Sequence, residues 1–204
     1  MTIFVKKTIV MVESLEKKRY TVEEYFALEE TSEIRHEYFD GEIFAMAGTT
    51  LNHNRIAQNV GFSLRKSKKS HCDVFIENVK LEAIKDFYYP YPDVMLTCNP
   101  VDLRQKNKIV HPSLIVEVLS TSTEKYDKTT KLKKYKAIAS VQYYMLVSQY
   151  EMSVELYSRV SDALWTYEEF TEQNATINLE KLEIILSLSD IYENIVFESE
   201  EILE

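Results

Sequence analysis

The sequence predicts an α/β (α+β) domain: a central sheet flanked by helices, with extra β-hairpins. Three observations carry that prediction. Residues 113–120, "SLIVEVLS", are a run of leucine, isoleucine and valine bounded by serines, the pattern of a strand covered on both faces. Helical and strand-like periods follow one another in the order helix, three strands, helix, strand. The 204 residues, free of internal repeats and low-complexity linkers, suit one domain with a full core.

The boundaries read as a lead-in over residues 1–19, one domain over 20–195 and an acidic tail over 196–204 ending in "ESEEILE". The domain opens on "YTVEEYFALEE", where Thr21 is an N-cap and Glu24, three residues on, completes a capping box. Asp40-Gly41 is a hairpin turn signal between "HEYF" and "EIFAMA". In "TTLNHNRIAQNVGFSLRKSKK", Ile56, Val60 and Leu64 line one helical face. "CDVFIENVKLEAI" alternates like one strand, and "YPDVMLT" and "SLIVEVLS" are the next two. "TEKYDKTTKLKKYKAIA" is helical, with Leu132, Tyr135 and Ala139 on one side, and "VQYYMLVS" is a further central strand. "SVELYSR" and "LWTYEEF" form a hairpin, and "INLEKLEIILSLSDIYENI" closes the domain with a strand and a short helical turn.

Composition narrows the function. Only Gly41, Gly48 and Gly61 are glycines, which excludes a Gly-rich phosphate loop and leaves phosphate chemistry to side chains and metal ions. A net charge of −9 argues against a general nucleic-acid coat. It does not exclude a nuclease, because acids that hold a metal are counted in it. The lysines gather in "LRKSKKSH" and "EKYDKTTKLKKYK", either as solvated helix faces or as backbone contacts from Lys66, Lys68, Lys69, Lys133 and Lys134. Two cysteines, Cys72 and Cys98, have no metal-site spacing. A disulfide framework is not expected, and a reducing cytoplasm is the expected setting. No stretch resembles a secretory signal or approaches the roughly 18 apolar residues of a membrane span.

Two acids stand out. Asp93 follows Pro92 at the head of the apolar run Val94-Met95-Leu96, and Glu117 is embedded among Leu114, Ile115, Val116, Val118 and Leu119. An ionised carboxylate buried without a partner costs many kcal/mol. Glu117 is therefore either salt-bridged to a lysine or arginine, or it shares a divalent cation with Asp93. Hard oxygen ligands favour Mg²⁺ or Mn²⁺.

Pro92-Asp93 followed by Glu117-Val118-Leu119 resembles the PD-(D/E)XK nuclease pattern. More closely, the blocks "YTVEEYFALEE", "HEYFDGEIFAMAG", "NHNRIAQNV", "FYYPYPDVMLTC", "PSLIVEVLSTSTEKYDKTTKLKKY" and "QYYMLVSQ" resemble the Uma2 family of restriction-endonuclease-like proteins over about residues 20–195. That resemblance implies a restriction-endonuclease-like core with a mixed sheet. It also implies metal-dependent hydrolysis of DNA, with Asp93 and Glu117 as metal ligands. The chain departs from the pattern at Leu119, where a lysine is expected on the same strand face as Glu117. The resemblance supplies Lys131 from the following helix instead, and Lys80 on a neighbouring strand is the second candidate. Glu42 is either a further acid near the metal or an exposed turn residue. His53 either orients a phosphate or water, or caps a helix; His36, His71 and His111 form no constellation with one another. Two competing functions remain open: a catalytically silent nuclease fold acting as a binding module, and a carboxylate-pair hydrolase of the glycosidase kind. Cutting both strands of a duplex is easiest for a symmetric pair, so a homodimer is expected.

Overall fold

A computed structural model describes residues 18–197. The lead-in expected over 1–19 and the acidic tail over 196–204 therefore lie almost wholly outside the described residues. Helix α1 (Val22–Thr31) starts at the capping box, with the Thr21 hydroxyl accepting from Glu24 N–H and the Glu24 carboxylate accepting from Thr21 N–H. Strands β1 (His36–Phe39) and β2 (Glu42–Ala45) are the expected hairpin. Asp40 and Gly41 both have positive φ, 45° and 81°, the conformation a two-residue primed turn requires.

Helix α2 (Leu51–Ser67) buries Ile56, Val60 and Leu64 completely. It lies so close to the sheet that a Cβ at Gly61 would meet Ile76 Cδ1 at 2.2 Å. The segment read as one strand from residue 72 is broken in two. Strand β3 (Asp73–Ile76) ends where Glu77 and Asn78 take positive φ, and a two-residue strand β4 (Lys80–Leu81) leaves in a new direction. Strands β5 (Tyr88–Tyr89), β6 (Val94–Thr97), β7 (Lys108–Ile109) and β8 (Leu114–Leu119) follow.

The second helical segment has three parts: α3 (Glu124–Tyr126), a π-helical turn (Asp127–Lys131) and α4 (Leu132–Lys136). It stops short of Ala139, which is exposed. The Arg159 guanidinium takes the carbonyls of Lys136 and Ile138, both at 2.8 Å, and so terminates the helix from outside. Strands β9 (Tyr143–Ser148), β10 (Val154–Arg159) and β11 (Trp165–Phe170) match expectation. The closing segment holds two strands where one was expected, β12 (Thr176–Leu179) and β13 (Ile184–Ser187), before the short α5 (Leu188–Ile191).

The central sheet is six-stranded in the order β11-β10-β9-β8-β6-β3. It is mixed: β8 and β9 run parallel across the helical crossover and all other neighbours are antiparallel. Its two faces carry separate cores. Leu114, Val116 and Val118 face α2 and the β12–β13 hairpin, while Ile115 and Leu119 face Tyr135 and Tyr144 on the crossover side. Strand alternation puts Glu117 on the crossover side as well. A small sheet, β2-β1-β5, carries α1 through a cluster of Tyr25, Tyr38 and Tyr89.

The expectation about the cysteines is corrected. Register Asp73↔Thr97 in the β3–β6 pair puts Cys72 and Cys98 opposite each other, with Cα atoms 4.0 Å apart, and a disulfide joins them. Pairing across a sheet, invisible in the sequence spacing of 26, decides this. Among the described residues no helix is long and apolar enough to cross a membrane.

Candidate active site

The register Val94↔Val116 between β6 and β8 brings the head of one strand beside the second half of the other. Asp93 is fastened there: its Oδ2 accepts a 2.7 Å hydrogen bond from Val118 N–H and lies 3.3 Å from His53 Nε2. Glu117 is 3% exposed. Its Oε1 accepts from Lys131 Nζ at 3.0 Å and from the Tyr135 hydroxyl at 2.9 Å. Both hydrogen bonds land on that one oxygen, and Oε2 takes neither.

Lys131 arrives through the π turn. Leu132 N–H bonds back to the Asp127 carbonyl, five residues away, so the widened turn ends on Lys131. The ammonium then lies 3.0 Å from Glu117, 3.1 Å from Asp127 Oδ1 and 3.8 Å from Glu37 Oε1. Leu119 fills the strand position where the nuclease pattern has lysine and is buried with Ile115 and Tyr135.

Asp93, His53, Glu117, Lys131, Asp127 and Glu37 line one cleft of about 690 Å³, which also receives Tyr91 and the Ser120–Thr123 loop. Its electrostatics are lopsided. Burial first, then Asp93 and Asp127, hold the Glu117 carboxyl well above its ordinary value, against the pull of Lys131. Burial likewise raises Asp127. Burial opposes the charge on Lys131, but Glu117, Glu37 and Asp127 outweigh it and push the ammonium well above its ordinary value. Burial also disfavours the His53 cation, yet the contact with Asp93 prevails and its pKa is raised. His53 Nδ1 is buried without a hydrogen-bond partner among the described residues.

Of the residues singled out in the sequence, Asp93, Glu117, Lys131 and His53 meet in this cleft. Two do not. Glu42 opens β2 beside the Arg19–Asp40 turn and exerts its charge on Arg19. Lys80 lies in a separate pocket, under the rings of Tyr25 and Phe26 at 4.5 and 4.6 Å. Glu37, Asp127 and Tyr135 were missed. Glu37 falls within an ordinary polar alternation, and Asp127 reads as a solvated helix acid; only the i, i+4 spacing to Lys131 hinted at it. The lysines proposed for backbone contact are also dispersed. Lys66, Lys68 and Lys69 sit at the far end of α2 from His53, about 20 Å away at the helical rise per residue. Lys134 lies over the Phe39 ring at 3.8 Å.

The sequence profile of the Uma2 family, described as "Putative restriction endonuclease", matches residues 22–189. The chain belongs to the Uma2 family. An uncharacterized protein of Synechocystis sp. is 32% identical over 176 residues, covering 86% of this chain and 92% of its own. A second uncharacterized Synechocystis protein is 33% identical over 170 residues, covering 82% and 96%. The crystal structure of a protein from Anabaena variabilis, titled a putative nuclease belonging to DUF820, superposes with a TM-score of 0.69. It does so at 18% identity, over 86% of this chain and 99% of that one. That likeness is one of fold: a mixed sheet with few helices, as the Uma2 resemblance implies.

The donor set of the cleft fits a divalent cation. Three carboxylates, those of Glu117, Asp127 and Glu37, lie within 4 Å of one ammonium. Asp93 stands beside them paired with His53, and Glu117 Oε2 is outside the two hydrogen bonds made to its partner oxygen. Among the described residues, the one trio of His, Cys, Asp or Glu with all ligand atoms within 4.8 Å is His71, Cys72 and Cys98, at the disulfide. A cation in the cleft would therefore rest on two acids and complete its shell with water and substrate oxygens, as Mg²⁺ commonly does.

Proposed function

We propose that this Uma2 protein is a divalent-metal-dependent DNA endonuclease of restriction type, with Asp93 and Glu117 holding Mg²⁺ or Mn²⁺. The observation that carries this reading is the excess of acid around Lys131: three carboxylates converge on one ammonium, with the Asp93–His53 pair beside them, and such a cluster is stable only when protonated or supplied with further positive charge. The cation would supply Lewis-acid polarisation of the phosphate and a lowered pKa for an attacking water.

The chain's own residues do the rest. Val118 N–H and His53 fix the Asp93 carboxylate, so its other oxygen has one orientation. Tyr135 and Lys131 fix Glu117 in the same way. With a cation held by Asp93 and Glu117, Lys131, still placed by Glu37 and Asp127, would direct a proton toward a phosphate oxygen or the attacking water. Asp127 holds the ammonium in place from the next turn of its own helix. The Ser120–Thr123 loop offers hydroxyls along the floor of the cleft, where a substrate backbone would pass.

Plasmid nicking tests the reading. The purified protein should convert supercoiled DNA in the presence of Mg²⁺ or Mn²⁺ and not in chelator, and Asp93→Ala should be silent under both conditions. Nicking that survives the substitution would mark a contaminant. Protein that binds Mn²⁺ and DNA without ever cutting would favour the binding-module alternative.

A further inference from the structure

A second cavity among the described residues, about 570 Å³, adjoins the cleft at Tyr91, which lines both. Lys80 points into it. The residue is 6% exposed, yet among the described residues its ammonium makes no hydrogen bond, and the nearest carboxylate oxygen, Glu29 Oε2, is 3.9 Å away. That is beyond hydrogen-bond range.

Glu29 cannot come closer on Lys80's behalf. Its Oε2 takes the Tyr91 hydroxyl, and its Oε1 takes both His36 N–H and His36 Nδ1 at 3.0 Å. Nor does Asp102, which lines the same cavity, offset the lysine: its oxygens are spent on Thr97, Val110 and His111. Burial pulls the Lys80 pKa down to about 8 against the opposing effect of Glu29, with smaller like-charge contributions from Arg35 and Lys108, the latter itself ion-paired with Glu82. An ammonium that lines the cavity with no hydrogen bond, its one carboxylate neighbour 3.9 Å away and Arg35 and Lys106 on the same walls as Glu29 and Glu30, is placed to receive an anion.

The walls indicate what carries the anion. Phe26, Phe75 and Tyr91 supply aromatic faces, and Asn78, Gln105 and Asn107 supply amides able to pair with a base edge. The volume suits a nucleotide better than a bare ion.

We propose that this pocket binds a nucleoside monophosphate unit, its phosphate on Lys80 and its base against Tyr91 and Phe75. The unit is either a free nucleotide or the phosphorylated end of a strand. This assignment does not depend on the cleft being catalytic.

Calorimetric titration in chelator, which keeps divalent ions out of the cleft, tests it. AMP should bind, with inorganic phosphate and adenosine each at least about tenfold weaker. A 5′-phosphorylated hexadeoxynucleotide beside its 5′-hydroxyl twin separates the sources: preference for the phosphorylated strand assigns a strand end, and binding of AMP alone assigns a free nucleotide. Lys80→Met should weaken AMP by at least about tenfold, Lys80→Arg should recover part of it, and Asp93→Asn should leave it unchanged. Circular dichroism verifies that each variant is folded. AMP affinity that is undetectable at about millimolar concentration, that is equal in Lys80→Met and the parent, or that is lost in Asp93→Asn would overturn the assignment.

Discussion

Lys131 and Lys80 are each 6% exposed, and they line two cavities that share Tyr91, in opposite electrical states. Lys131 has three carboxylates within 4 Å and holds its proton more tightly than a free lysine. Lys80 has aromatic rings, one preoccupied carboxylate and two cationic neighbours, and gives its proton up near pH 8. Burial is the same penalty for both. What differs is who else is in the pocket: three carboxylates within 4 Å crowd Lys131, whereas Lys80 has one carboxylate at 3.9 Å, already engaged with Tyr91 and His36.

The strongest way to break the comparison is to remove the acid excess. Asp93→Asn keeps the side-chain shape and should lower Mg²⁺-dependent nicking by at least about a hundredfold, read from the loss of supercoiled plasmid. Removing the lysine from the same cluster is the next largest effect. Lys131→Met leaves Glu117, Asp127 and Glu37 facing one another and should cost about 3–5 kcal/mol in chelator, measured by urea unfolding. Mn²⁺ should restore most of that loss without restoring cleavage.

The same substitution in the other pocket should act in the opposite direction. The folded pKa of Lys80, about 8, lies below its ordinary 10.5, so the unfolded chain holds more protons between those values. Wild-type stability therefore rises as pH climbs from about 8 to 10.5. Lys80→Met removes that penalty and should gain about 1–2 kcal/mol at pH 7 after the lost ring contacts are counted, with the gain vanishing toward pH 10.5. Thermal melts across that range measure it.

A smaller effect sharpens the metal side. The Glu117 carboxyl is raised above its ordinary 4.5, so in chelator the unfolded chain gives up this proton first. Stability contributed by the proton is full below 4.5 and is lost as pH rises through the folded value. A divalent cation binds the ionised form only, so the Mn²⁺-induced rise in melting temperature should be greater at about pH 8 than at about pH 5.

Much of this arrangement was legible in the chain. Glu117 announced itself because an acid inside "LIVEVL" contradicts its surroundings, and Asp93 because it follows Pro92 at the head of a buried strand. Lys131 came from the family blocks alone, since nothing in a run of helix lysines distinguishes the one that turns inward. What decides it is the π turn, and a turn widened by one residue has no periodic signature. Glu37 and Asp127 reach the cleft through strand pairing and helix placement between distant segments. The same holds for Cys72 and Cys98, which become neighbours only in the β3–β6 register, and for the break at Glu77–Asn78, where two non-glycine residues adopt positive φ without a glycine to signal it.

The claim beneath the whole account is that the acid excess around Lys131 exists to hold a divalent ion. Electron paramagnetic resonance of Mn²⁺ titrated into the metal-free protein measures that directly. The account predicts one tight site per chain, lost in Asp93→Asn and in Glu117→Gln and retained in Lys80→Met. Equal Mn²⁺ uptake by the parent and by Asp93→Asn, or no uptake at all, would contradict it.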